Sequence, residues 1–367
     1  MLPEMKYIEQ ELLPMLRERA GEFRARADRQ LSQWKGTPGV CSLLLSVKNA
    51  PEAEKLPDYD FYDIHYDPEK MFVSELKKAL GTAMALGDGV PSVRANVGVA
   101  AICTLYGKLK STYFHDKMPW LLQHFSHEEL EEITVGALED SWEFQNGLEQ
   151  MRYMKEMLQG TGIELYPMDL QGPVDMAHLL MGDDFFYDVY DEPELVHKAL
   201  QLSVDAASYA MKKCFDIIQP TDHVCHYNNL VLPAATPLKI SEDTSTLLGK
   251  EHLLEYMKPY TEQLLSRFGG GYIHYCGDNR HLYDLMPGLA QSIGLNFGNP
   301  ERHDPQNVLR MLEESGKAYY GAFPQLSAAE LARMAKCTDG RYNAFITASC
   351  CAEEQDAFAD HFYEQIR

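Results

Sequence analysis

From residue 40 onward, short apolar runs alternate with helical segments about eight times, and this constrains the fold more than any other feature of the chain. "VCSLLLSV", "PSVRANVG", "IELYPMDLQGP", "LKISEDTS", "GYIHYCG", "SIGLNFG", "KAYYGAF" and "NAFITASCC" are each bounded by turn residues, and helical periodicity fills the intervals. Strand–helix alternation of this kind predicts parallel strands and a (β/α)8 TIM barrel. The strand count is eight or nine, because 222–242 has room for one or two. A doubly wound sheet is the competitor, but no glycine-rich phosphate loop follows an early strand. There is no internal repeat and no linker. The expected organisation is an N-terminal helical extension over 1–36 and a single barrel domain over 37–367.

The extension reads as one amphipathic helix over 3–35, with Ile8, Leu12, Leu16, Phe23 and Leu31 on its apolar stripe. Five arginines load its second half: Arg17, Arg19, Arg24, Arg26 and Arg29. A solvated face is the plain expectation for them, and a lid or docking arm the sharper one. The helix also makes a homodimer an expectation.

Charge narrows the function. Thirty-three basic against fifty-five acidic residues give a net charge of −22, which excludes nucleic acid or an anionic membrane surface as the main partner. The N-terminus has no signal-peptide core, and no run reaches the ~18 apolar residues of a membrane span, so a cytoplasmic location is expected. The eight cysteines are then thiols or ligands rather than a disulfide framework.

In a strand, residues i and i+2 share a face. His274 and Cys276 therefore project together, and Gly277 ends the strand beside them. Strand C-termini form the functional mouth of a parallel barrel, and imidazole with thiolate suits Zn2+. Cys350 and Cys351 close the last strand, 74 and 75 residues beyond Cys276, and either could supply a third ligand. A second His-x-Cys pair, His223 and Cys225, starts its strand and reads as core or surface.

"ISEDTSTLLGKEHLLEYMKPY", "IHYCGD", "SIGLNFGNPE" and "FITASCC", with "QGPVDMAHLLMGDDFFYDVYDEPELVHKAL", resemble the uroporphyrinogen decarboxylase superfamily. The resemblance covers roughly residues 90–367 and is best from 162 onward. It is strongest to the zinc-dependent methylcobamide:thiol methyltransferases. It implies a zinc held by His274, Cys276 and Cys350 or Cys351. It also implies a thiol acceptor, and a methyl donor that is a methylated corrinoid carried by a separate corrinoid protein. Glu242 and Asp243 match an acidic strand-end position, one being a candidate fourth ligand or partner of His274, with helix N-terminal charge as the plain alternative. Asn96, Asp169, Asn228 and Asn296 lie near other strand ends and are candidates for lining the cofactor and substrate pocket. Tyr275 should face away from it.

The alternative implied by the same resemblance is a metal-free, decarboxylase-like lyase acting on a carboxylated small molecule. The first strand carries Lys48 and none of the arginines that hold substrate carboxylates in the decarboxylase; Arg94 is the one arginine placed for such a role. The doubled cysteine, the long 222–242 segment and the N-terminal helix depart from the family pattern.

Overall fold

The structure, a computed structural model, describes residues 2–227 and 229–366. Among the described residues there are twelve strands: β1 (Leu43–Val47), β2 (Ser92–Val93), β3 (Ser111–Thr112), β4 (Trp120–Leu121), β5 (Glu164–Leu165), β6 (His223–His226), β7 (Leu230–Pro233), β8 (Leu238–Ser241), β9 (Gly271–Tyr275), β10 (Ser292–Phe297), β11 (Ala318–Gly321) and β12 (Ala344–Cys350). Six of them form a parallel sheet in the order β1-β12-β11-β10-β9-β8. This is the mixed α/β architecture that the alternation predicts.

Beyond this sheet, β2 and β5 pair in parallel. At one edge Gln171 makes a parallel bridge with Ser241 of β8, and at the other Asp88 N–H donates to Leu43 O of β1 at 2.7 Å. The expectation for 222–242 needs correcting: the segment holds three strands, an antiparallel hairpin β6–β7 followed by β8. Beside the hairpin tip, Tyr227 lies in the left-handed region at φ 49°.

The two faces of the sheet have different roles. Leu43, Leu45, Ile240, Ile273, Leu295 and Ile346 belong to the large core shared with the surrounding helices. Leu44, Tyr272, Tyr320 and Phe345 point to the opposite face and pack on Leu230 and Leu232 of the hairpin. Period-2 alternation, buried on both sides, is what a parallel sheet requires. Tyr275 follows it and packs its ring edge-on against Phe297 at 5.1 Å, on the helix side as its position in the strand predicts.

The N-terminal helix is broken where one helix was expected. A π turn at Ile8–Leu12 precedes Pro14, and a break at Arg19 precedes the helix Ala20–Trp34. Proline lacks the N–H that would continue the i→i−4 ladder, so a widened turn forms ahead of it. Pro259 does the same to its helix, with a π turn at Leu253–Met257.

Solvation of the arginine face holds for Arg24, which pairs with exposed Asp28 and Asp222. It fails for Arg26, which is buried and donates to the carbonyls of Thr82, Gly89 and Ala85 at 3.0, 3.1 and 2.7 Å. Gln30 donates to Asp88 O and Asn229 O and accepts from Val231 N–H. Gln33 bridges Ser42 N–H and Ala344 O. These side chains satisfy backbone groups where the strands begin, so the helix is a structural cap on that end, with its apolar stripe buried within the chain itself. Among the described residues, no helix is long and apolar enough to cross a membrane.

Candidate metal centre

β9 delivers His274 and Cys276 to the sheet face that carries Tyr272, as the i, i+2 spacing predicts. Cys276 lies just past the strand. Gly277 follows in the left-handed region at φ 101°, and its N–H is held by Asn299 Oδ1 at 2.9 Å. Gly298 lies alongside, where a Cβ would run into Cys276 Sγ. From the end of β8 comes Asp243. Its backbone N–H, with that of Thr244, is fixed by the buried Asp175 carboxylate at 3.0 and 2.6 Å.

Asp243, His274 and Cys276 bring one carboxylate oxygen, one imidazole nitrogen and one sulfur within 4.8 Å of one another. His274 Nε2 lies 3.5 Å from Cys276 Sγ and 3.8 Å from Asp243 Oδ1. Tetrahedral ligands at ordinary Zn–N, Zn–S and Zn–O lengths stand about 3.6 Å (N to S) and about 3.4 Å (N to O) apart. The spacing fits that geometry, and the nitrogen–sulfur–oxygen donor set fits the chemistry.

The second ring nitrogen is fixed as well. Asn296 on β10 is the register partner of His274, and its Oδ1 meets Nδ1 at 2.6 Å. The amide cannot turn over, because its Nδ2 donates to Tyr320 O at 2.6 Å. Nδ1 therefore carries the proton and Nε2 offers its lone pair towards Cys276 and Asp243, the arrangement by which a ligating histidine is oriented. Burial, then the positive charge of Lys239, lowers the His274 pKa and keeps the ring neutral. Replacing Asn296 by Ala should weaken zinc binding by roughly 10–100-fold. Competition against a chromogenic chelator measures this, and an affinity within twofold of the parent would remove Asn296 from the centre.

Cys276, His274 and Asn296 also stand in the order of a Cys–His–Asn nucleophile. Asp243 decides against that use. Its Oδ1 accepts from Cys276 N–H at 2.6 Å, so a carboxylate sits where a thiolate would have to form. Burial and then this charge push the thiol up to about 11. A divalent cation among the three groups removes the conflict.

Cys350 and Cys351 do not join the cluster. On β12, Phe345 and Thr347 share the His274 face, and the parity of the strand turns Cys350 into the outer core. Cys351 has left the strand and precedes the turn Ala352–Glu354, its N–H donating to Glu354 Oε2 at 3.3 Å and its carbonyl accepting from Glu354 N–H at 3.1 Å. The third group that could ligate a metal here is Asp243 rather than a second cysteine.

Of the acidic pair, Glu242 is fully buried and points away, accepting from Ser245 and Thr261 hydroxyls at 2.8 and 2.6 Å. Burial and the neighbouring Asp175 charge raise its pKa. It supports the loop and does not face the cleft. Asn96 is buried against Glu75 at 3.3 Å rather than in the cleft, Asp169 lies deeper among basic side chains, and Asn228 falls outside the described residues.

The cluster adjoins an open cleft of about 510 Å3 lined by Tyr227, His274, Asn296, Tyr320 and Thr347 among others. Tyr227 is stacked on Tyr320, with ring centroids 5.9 Å apart and planes 7° from parallel. Sequence reading missed Tyr227, Tyr320 and Lys239. The signal for Lys239 was present in "LKIS", where a lysine and a serine two apart interrupt an otherwise apolar strand.

Comparison with known proteins adds no family. No family model matches the chain, and no curated protein sequence matches it.

Proposed function

We propose that this chain is a zinc-dependent methyltransferase on an eight-stranded (β/α)8 barrel, moving a methyl group from a methylated corrinoid to a thiol. The Asp243–His274–Cys276 cluster, with Asn296 holding the imidazole, is the observation that carries the reading. Support for the barrel comes from its seams. The pairing of β2 with β5, the Gln171–Ser241 bridge and the Asp88–Leu43 hydrogen bond continue the six-stranded sheet from each edge. On this reading β1, β2, β5, β8, β9, β10, β11 and β12 are the barrel strands, and the β6–β7 hairpin fills the lumen from the end capped by the N-terminal helix.

Asp243, His274 and Cys276 would hold Zn2+. Bound there, the ion supplies a Lewis acid that lowers the pKa of an acceptor thiol at its remaining position. Asp175 holds the Asp243 loop, Asn296 fixes the imidazole tautomer, and Gly298 leaves room for the Cys276 sulfur. The cleft beside them is wide enough for a small thiol and faces outward, where a corrinoid protein would present its methyl group. In the transfer, the acceptor thiol loses its proton to solvent and a sulfur–carbon bond forms. The cobalt–carbon bond breaks with its electron pair staying on cobalt.

The test is to mix zinc-loaded protein with methylcobalamin and a panel of thiols, following the corrinoid spectrum and the thioether product. Demethylation that disappears on chelation and returns with zinc is expected. A zinc-loaded sample that demethylates with none of the thiols, or one equally active after complete chelation, contradicts the reading.

A further inference from the structure

Beside the cluster, the wall of the open cleft is uncharged. His274 forms part of that wall, and a metal on its Nε2 would stand about 2.0–2.1 Å from the ring, so a group bound to the metal borders the cleft. The Tyr227 and Tyr320 rings form the rest, with Pro300, Ala322, Pro324 and Thr347 around them. Among the described residues no Asp, Glu, Lys or Arg lines it. Its volume, about 510 Å3, is that of a site for a small organic molecule.

The polar groups of this wall are spent on one another. Asn296 uses Oδ1 on His274 Nδ1 and Nδ2 on Tyr320 O, each at 2.6 Å. Tyr320 O–H donates to Asn229 Oδ1 at 2.9 Å. Thr347 adds a neutral hydroxyl. The charge next to the wall, Lys239, is buried 4.9 Å from the Tyr227 ring centroid and is paired with Asp169 at 2.9 Å. An ionised group entering the cleft would lose water and find no counter-charge in the wall. A flat apolar group meets two nearly parallel tyrosine rings and two prolines, all rigid, so little freedom is lost on contact. Tyr227 is held for this at φ 49°, a backbone value uncommon for a bulky residue and found where a ligand site stores strain.

We infer that this cleft holds the organic part of the acceptor, which makes the acceptor an uncharged thiol bearing a flat apolar group, an arylmethyl thiol being the simplest. This rests on the acceptor-thiol reading above and names its substrate class. The thiol sulfur would sit on the metal at His274 Nε2 while the ring lies against Tyr227 and Tyr320. Aromatic faces carry the negative side of the ring quadrupole, so they favour a second ring, offset or edge-on, over an anion. A short mercapto acid or mercaptosulfonate would meet no cation here.

The cleft can be tested without metal or methyl transfer. The full chain, stripped of metal by chelation, is titrated with benzyl methyl sulfide, 2-(methylthio)ethanol and 3-(methylthio)propionate, and binding is followed by ligand-observed NMR. Benzyl methyl sulfide should bind about tenfold or more tightly than either of the others. Ala322 is exposed, so Ala322→Trp should fill the cleft without disturbing the core and lower that affinity by about tenfold or more. Ala322→Leu, a smaller obstruction, should give an intermediate value. Tyr320→Phe keeps the ring and loses only the hydroxyl, so its affinity should stay within about threefold of the parent. Equal affinity for the three sulfides, or an Ala322→Trp variant that binds benzyl methyl sulfide like the parent, overturns the inference. In the methyl-transfer assay, benzyl mercaptan should exceed 2-mercaptoethanol and 3-mercaptopropionate in kcat/KM by a similar factor. If the binding preference holds while no thiol is methylated, the aromatic site stands and the methyltransferase reading falls. If thiols are methylated without that preference, the inference falls alone.

Discussion

Replacing Cys276 or His274 by Ala should leave the purified protein with less than about a tenth of an equivalent of zinc, where the parent holds about one. On the proposed centre, each substitution removes one of the three donor groups gathered among the described residues. The loss should therefore exceed the roughly 10–100-fold that follows from removing the outer hydrogen-bond partner of a ligating histidine. Thiol-dependent demethylation of methylcobalamin should fall to background in both variants. Folding should be little affected, since Cys276 is exposed and His274 lines an open cleft. Metal analysis by plasma mass spectrometry, paired with thermal denaturation in chelator, separates the two effects. Full zinc retention in either variant would remove that residue from the centre.

A comparably large effect is expected far from the cluster, at Arg26. Arg26→Met keeps much of the side-chain volume but leaves the carbonyls of Ala85 and Gly89 without the guanidinium donor, and Thr82 O with backbone N–H donors alone. Unsatisfied buried polar groups cost about 1–3 kcal/mol each, so a loss of roughly 3–5 kcal/mol is expected. Arg24→Ala, which removes exposed ion pairs with Asp28 and Asp222, should cost about 1 kcal/mol or less. Urea unfolding of the two variants against the parent measures the contrast. Equal losses would contradict the view that this helix caps the strand starts through buried polar side chains.

These two sites also show what a linear sequence discloses and where it stops. His274 and Cys276 share a face because strand periodicity is local, and Gly277 marks the strand end by the backbone freedom it provides at φ 101°. Asn296, singled out as a strand-end residue, faces His274 because parallel neighbours align end with end. The identity of the third donor is not a local property. Cys350 was attractive by residue type, but a one-residue difference in parity puts it behind the sheet, while Asp243 reaches the cluster through a loop held by Asp175, 68 residues away. Arg26 is similar. Composition reads it as one of five surface arginines, and only the packing of the helix across Thr82–Gly89 makes it a buried donor. The hairpin at 223–233 escaped for another reason. Its apolar run looks like any other strand, and what distinguishes it is antiparallel pairing within itself and packing on Leu44, Tyr272 and Phe345.

Zinc K-edge X-ray absorption on the metal-loaded protein tests the central claim most directly. One sulfur at about 2.3 Å with two or three nitrogen or oxygen neighbours at about 2.0–2.1 Å is the predicted first shell, from Cys276, His274 and Asp243. Substituting Cys350 and Cys351 together by Ser should leave that spectrum unchanged. A shell with two sulfurs, lost in the double variant, would contradict the Asp243–His274–Cys276 centre.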